Sequence, residues 1–115
     1  MMPERLLDIA HELLSAPDTE QPRLRSVVNR AYYAAFLTAR DYCSRNDVDV
    51  GHGAAHQKVI EALIDKPDLA RRGNQLNMVK RLRHRADYEW NRPMTYKEAA
   101  KTLKTCRELV AFFTS

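Results

Sequence analysis

Arg83-His84-Arg85-Ala86-Asp87-Tyr88 is the stretch of this chain with the most chemistry in it. It sets a fixed cation, an imidazole, a carboxylate and a phenol within one short segment. On a helix, residues four apart share a face, so Arg83 meets Asp87 and His84 meets Tyr88. An Arg clamps a phosphate through two hydrogen bonds and stays charged at any relevant pH. An imidazole takes or gives a proton near neutrality. Metal-free RNA cleavage needs these parts: a base for the 2′-hydroxyl, a cation for the pentacoordinate phosphate, and an acid for the leaving oxygen. Arg83, His84, Asp87 and Tyr88 form the candidate catalytic set. The competing reading is structural, an Arg83–Asp87 pair on a solvated helix end with Tyr88 packed inward.

Charge is unevenly spread around this stretch. The chain has 19 Lys and Arg against 15 Asp and Glu, a net charge of +4. From Ala70 to Ala86 lie Arg71, Arg72, Lys80, Arg81, Arg83 and Arg85 and no acid, so this segment carries +6 and the remainder nets −2. A local excess of this kind suits a polyanion such as RNA, because each Lys or Arg on a phosphate releases counterions. Lys80, Arg81 and Arg85 are the candidate strand-attracting residues. The alternative is a basic face that only keeps the helix solvated. Duplex DNA as the target rests on charge alone, since no short helix-turn-helix is evident.

Helices must position these residues, and the apolar spacing predicts five of them. The first runs from about Pro3 to Leu14, with Leu6, Leu7, Ile9, Ala10, Leu13 and Leu14 on one stripe. The second runs from about Pro22 to Cys43 or Ser44, roughly 33 Å long. Between Ala31 and Ala39 only Thr38 is polar. A helix apolar nearly all round must be covered on most sides. In so small a chain a partner copy is the simplest cover, the alternative being that the other four helices surround it. A short third helix spans about Ala55 to Ile64. The fourth, from about Pro67 to Ala86, carries the basic cluster. Its Gly73 costs about 1 kcal/mol relative to Ala and permits a kink. Thr95-x-x-Glu98 is a capping box for a fifth helix ending near Phe113. Long amphipathic helices with short connectors imply an antiparallel, up-and-down bundle.

Length and composition narrow the classes further. The 115 residues suit a single domain spanning 1–115. With three Gly and five Pro, an all-β sandwich is excluded. Glu4, Arg5, Asp8, His11 and Glu12 leave no apolar leader, and no run is long enough to span a membrane. A cytoplasmic protein with both thiols free is expected. His52 and His56, with Cys43 and Cys106, make a weak candidate zinc set, and no metal is expected. Gly51-His52-Gly53 is not a phosphate-binding fingerprint, so no cofactor is expected either. Cys43 follows a buried run and reads as an inert core thiol.

Three stretches, in order, resemble the HEPN family of small prokaryotic all-α domains over roughly Arg25 to Phe113. Asn29 to Phe36 is similar to that family's Arg-Ala-Tyr-Tyr-Ala-Ala-Phe core helix. His52 to Leu63 is similar to its His-led segment before a small helix. Leu82 to Tyr88 is similar to the Leu-Arg-x-x-Ala-Asp-Tyr variant of its signature. The resemblance implies a four- or five-helix bundle that dimerises, with the signature helices facing each other across a cleft. It further implies metal-independent endoribonuclease activity of the toxin–antitoxin, phage-defence or CRISPR-effector type, and for many small members a minimal nucleotidyltransferase as partner. Arg83 matches the signature Arg and His84 its polar neighbour, but Tyr88 stands where the terminal His belongs. No His follows His84, and a phenol is a poor base at neutral pH. Two expectations follow. In one, His84 or Tyr88 moves the proton in an altered geometry. In the other, the domain is a non-catalytic module that binds nucleotide, RNA or a partner nucleotidyltransferase, with Tyr88 as a modification target.

Overall fold

Apolar side chains at three- and four-residue spacing bury themselves along five helices. These are α1 (Pro3–Leu14), α2 (Gln21–Arg45), α3 (His56–Ile64), α4 (Ala70–Tyr88) and α5 (Tyr96–Thr114). The computed structural model describes residues 2–16, 20–51 and 55–115, and no strand occurs among them. α2 is the central element and touches all four others; α3 packs on α4, and α5 closes against α1 and α4. No helix among the described residues is long and apolar enough to cross a membrane.

The cover that α2 needs comes from its own chain. Val27, Val28, Ala31, Tyr32, Ala34, Ala35 and Ala39 are fully enclosed within one copy. Alanines let the neighbouring helices approach closely, while Tyr32 and Phe36 fill the remaining space. The apolar character of α2 therefore makes no demand for a second copy, contrary to the expectation from its sequence. Thr38, its one polar interruption, donates its hydroxyl back to the Ala34 carbonyl at 2.6 Å and is satisfied within the helix.

α4 begins later than its apolar pattern suggests and ends later too. Asp65 to Leu69 form turns, closed by the Leu69 amide donating to the Lys66 carbonyl at 2.9 Å. The helix then continues to Tyr88, which puts Asp87 and Tyr88 in its last turn. Gly73 marks the place where α4 meets α3. A Cβ there would lie 2.8 Å from Ile64 Cγ1, 2.9 Å from the Ile64 amide nitrogen and 3.1 Å from Leu63 Cβ. One of those atoms is backbone and cannot swing aside. Gly73→Ala is expected to destabilise the protein, since overpacking costs about 1–3 kcal/mol and outweighs the roughly 1 kcal/mol gain in helix propensity. A urea midpoint that rises in this variant would refute the close contact.

α5 starts at the capping box foreseen from Thr95 and Glu98. The Glu98 amide donates to Thr95 Oγ1 at 3.0 Å, and the Thr95 amide donates to Glu98 Oε1 at 3.1 Å. Cys43 and Cys106 are free and buried in the core. Burial pushes both thiols above their usual range, so they stay protonated and inert.

Candidate functional site

The side chains at the end of α4 leave the helix in three directions. Arg83 and Asp87 face α2. Arg83 Nη1 donates to Asp87 Oδ2 at 3.2 Å, and Asn29 Nδ2 donates to both carboxylate oxygens at 3.3 Å. The Arg83 guanidinium lies 5.3 Å from the Tyr32 ring centre and 5.7 Å from that of Tyr33. Its side chain is only 14% exposed and that of Asp87 28%. Burial works against the charge on Arg83, but the Asp87 bond and the two phenols outweigh it and hold the guanidinium protonated. The ion pair read from the spacing forms, yet on the sheltered side of the helix and not on a solvated end.

His84 and Tyr88 occupy the outer face, with ring centres 4.8 Å apart. Tyr88 does not pack inward; it is 67% exposed. An open groove of about 410 Å³ runs past His84, lined by Gln57, Asn77, Lys80, Arg81 and Glu89. Lys80 Nζ donates to Gln57 Oε1 at 2.7 Å, bridging α4 to α3. Just beyond the helix, Trp90 is 81% exposed while its Nε1 donates to the Asp87 carbonyl at 2.8 Å. Its ring is therefore both fixed and open to solvent.

Arg85 takes the third direction. It pairs with Glu98 and also contacts Met94 Sδ at 3.5 Å. The Arg85 bond is the largest of the influences that hold the Glu98 carboxyl below its usual range. Arg85 thus ties α4 to the capping box of α5, on the side of the helix away from Arg83.

Two residues outside the signature set its geometry. Arg25, on α2, caps the end of α4. Its Nη1 donates to the carbonyls of Arg85 at 3.1 Å and Ala86 at 2.9 Å, and its Nη2 to those of Glu89 at 3.3 Å and Arg92 at 2.7 Å. A cation suits this position, because the last carbonyls of a helix carry its negative pole. His56, the first residue of α3, is the second. Its Nδ1 lies 2.6 Å from the Tyr32 hydroxyl, and its ring stacks on Phe36 with centres 3.9 Å apart and planes 9° from parallel.

Burial raises the Tyr32 hydroxyl far above its usual range, outweighing the nearby Arg83. Tyr32 is fully buried and its O–H has no other acceptor among the described residues, so the phenol donates to Nδ1 of His56 and the neutral imidazole carries its proton on Nε2. Burial, then Arg83, Lys80 and Arg40, lower the pKa of His56. The unfolded chain, with an ordinary imidazole near pH 6.5, takes up the proton before the folded one. Stability should then fall as pH drops through about 6.5 towards the lower folded value, and level off below it. Urea midpoints at pH 7.5 and 5.5 check this. The acid-side loss should shrink in His56→Gln, and an unchanged loss would show that this imidazole is not the cause.

Neither Arg25 nor His56 stands in the signature. The residues that reveal them, the α4 carbonyls and the Tyr32 phenol, are distant in sequence. Among the described residues no three His, Cys, Asp or Glu side chains come together as a metal site. Cys43 and Cys106 are in the core, His56 is bonded to Tyr32, and His52 lies outside the described residues.

An HEPN-domain family model matches residues 4–115. The chain belongs to the HEPN family. The match reaches further towards the N-terminus than the three resembling stretches and takes in α1. HEPN domains are generally linked to ribonuclease, toxin–antitoxin or defence roles, and they often dimerise and act on RNA. No curated protein and no solved structure matches this chain. In this HEPN domain the expected all-α bundle is present, with five helices. At its signature a sheltered Arg83–Asp87 pair faces α2 and an exposed His84–Tyr88 pair faces outward.

Proposed function

We propose that this HEPN protein is a ribonuclease of the toxin–antitoxin or defence type. It cleaves RNA in the cytoplasm without a metal, in a cleft between the α4 helices of two copies. The observation that supports this reading is the exposed His84, its ring centre 4.8 Å from that of Tyr88, in a groove with Lys80 and Arg81 and next in sequence to the signature Arg83. The His84 imidazole takes the 2′-hydroxyl proton, the 2′-oxygen attacks the phosphorus, and the P–O5′ bond breaks to leave a 2′,3′-cyclic phosphate, the departing 5′-oxygen taking its proton from the imidazolium or from water. Arg83 holds the non-bridging oxygens. A guanidinium has five N–H donors, and the Asp87 bond uses one of them. Asp87 and Tyr88 keep the two working groups in place. Lys80 and Arg81 attract the strand, while Arg85 serves α5. The exposed rings of Tyr88 and Trp90 offer flat faces for unstacked bases.

Incubating purified protein with end-labelled tRNA and total RNA in EDTA tests the proposal. Discrete products from the wild type, absent with His84→Ala, are expected. A monomeric mass by light scattering at micromolar concentration would contradict the two-copy cleft.

The enclosure of Arg83 by Asp87, Tyr32 and Tyr33 favours a second reading, a non-catalytic module paired with a minimal nucleotidyltransferase. Tyr88, exposed and in the position of the signature His, would then be the group that the partner modifies. An intact mass after co-expression with such a partner decides this: an added nucleotide that Tyr88→Phe removes supports it, and an unaltered mass counts against it.

A further inference from the structure

Where α2, α3 and α4 meet, a second cluster lies outside the pairs used above. Arg40 stands 5.6 Å from the Phe36 ring centre, and that ring stacks on His56 at 3.9 Å. Lys80 reaches Gln57, the residue after His56. Arg83 lies over Tyr32, whose hydroxyl is bonded to His56. Arg83, Lys80 and Arg40 each act electrostatically on this imidazole through these neighbours. Asp87 balances Arg83, but neither Arg40 nor Lys80 takes part in a described ion pair. The α3 carboxylate on this side, Glu61, is engaged by the Gln57 amide at 3.4 Å. Arg40 is exposed, and His56 and Lys80 are half-buried.

We propose that this junction binds a phosphate group, with Arg40 and Lys80 neutralising it and the His56 Nε2–H donating to one of its oxygens. Uncompensated cations held this close repel one another, and an anion relieves that repulsion. The Tyr32 hydroxyl fixes the tautomer that presents a donor. The phosphate comes from an RNA strand or from a free phosphate or mononucleotide; the first source rests on the ribonuclease reading, whereas the site itself does not. An anion beside His56 also favours its protonated form, so binding tightens as pH falls. The titratable and charged groups facing His56 are Tyr32, Tyr33 and Arg40 from α2 and Lys80 and Arg83 from α4, with Asp87 acting through Arg83.

Imidazole NMR resonances provide the test. His56 and His84 are assigned with His56→Gln and His84→Gln. The protein is then titrated separately with inorganic phosphate and with an RNA hexamer 2′-O-methylated throughout, which cannot be cut by attack of its own 2′-oxygens. Either probe should shift the His56 resonance and raise its apparent pKa. Arg40→Gln, at an exposed position that leaves the core untouched, should weaken binding by about threefold to fivefold, and Lys80→Gln by a similar factor. A shift at much lower hexamer than phosphate concentration assigns the site to a strand. Equal responses assign it to free phosphate or a mononucleotide. A His56 resonance that neither probe moves overturns the site, whether or not His84 moves. Because the hexamer resists cleavage, a failed nuclease assay leaves this readout intact.

Discussion

Arg83→Ala is expected to lower the proposed RNA cleavage by about 100-fold or more, the usual loss when one donor to a developing oxyanion is removed. The change also strips Asp87 of its cation, leaving a half-sheltered carboxylate with only Asn29 as a side-chain donor, and it removes the guanidinium from the Tyr32 and Tyr33 rings. A stability loss of about 1–3 kcal/mol is expected alongside, so activity is compared at a temperature where both proteins are folded. Arg83→Lys separates the two effects. It keeps the charge beside Asp87 but loses the planar fork and its stacking, so it should retain most of the stability and little of the activity. If Arg83→Lys cleaves as fast as the wild type, Arg83 does not clamp a phosphate.

Arg25→Ala is expected to lower unfolding free energy by about 3 kcal/mol. The guanidinium donates to four carbonyls at the end of α4 and in the turn after it, and no shorter side chain spans them. Hydrogen bonds to a charged group contribute about 1.5–3 kcal/mol each at most, and water takes over part of each when the Arg is gone. The consequence reaches the site. Without this cap the last turn of α4 frays, and Asp87 and Tyr88 lose their fixed directions. Cleavage should therefore fall in Arg25→Ala even at temperatures where the bundle stays folded. Urea unfolding and an RNA cleavage rate measured on one preparation check both halves. A stability change below about 1 kcal/mol would show that these bonds add little beyond water.

The five helices were legible because each carries its own record: apolar residues at helical spacing, Pro at the start of α1 and α2, and Thr95 with Glu98 at the start of α5. The directions of the side chains were less so. Arg83 and Arg85 differ by two residues, which on a helix points them to nearly opposite sides. Which side meets α2 and which meets α5 depends on how the bundle closes, and no local pattern records that. The same holds for Gly73, which reads as a weak point in α4 but is where the Ile64 backbone comes within contact. His56 reads as a weak zinc-ligand candidate or a capping residue at the start of a short helix. Its role emerges only when α3 lies across the aromatic face of α2, stacking the ring on Phe36 and setting Nδ1 against the Tyr32 hydroxyl. The cover of α2 was misjudged for a related reason. Its apolar girth was visible, but not that the other four helices can enclose it once its alanines let them come close.

The chemistry of the cut ends tests metal-free cleavage at α4 most directly. RNA cut in EDTA by the purified protein should carry a 2′,3′-cyclic phosphate on one fragment and a free 5′-hydroxyl on the other, because the 2′-oxygen is the nucleophile. Both ends should disappear with Arg83→Ala. Fragments ending in 3′-hydroxyl and 5′-phosphate, or intact RNA after incubation with folded, unmodified protein, would contradict it.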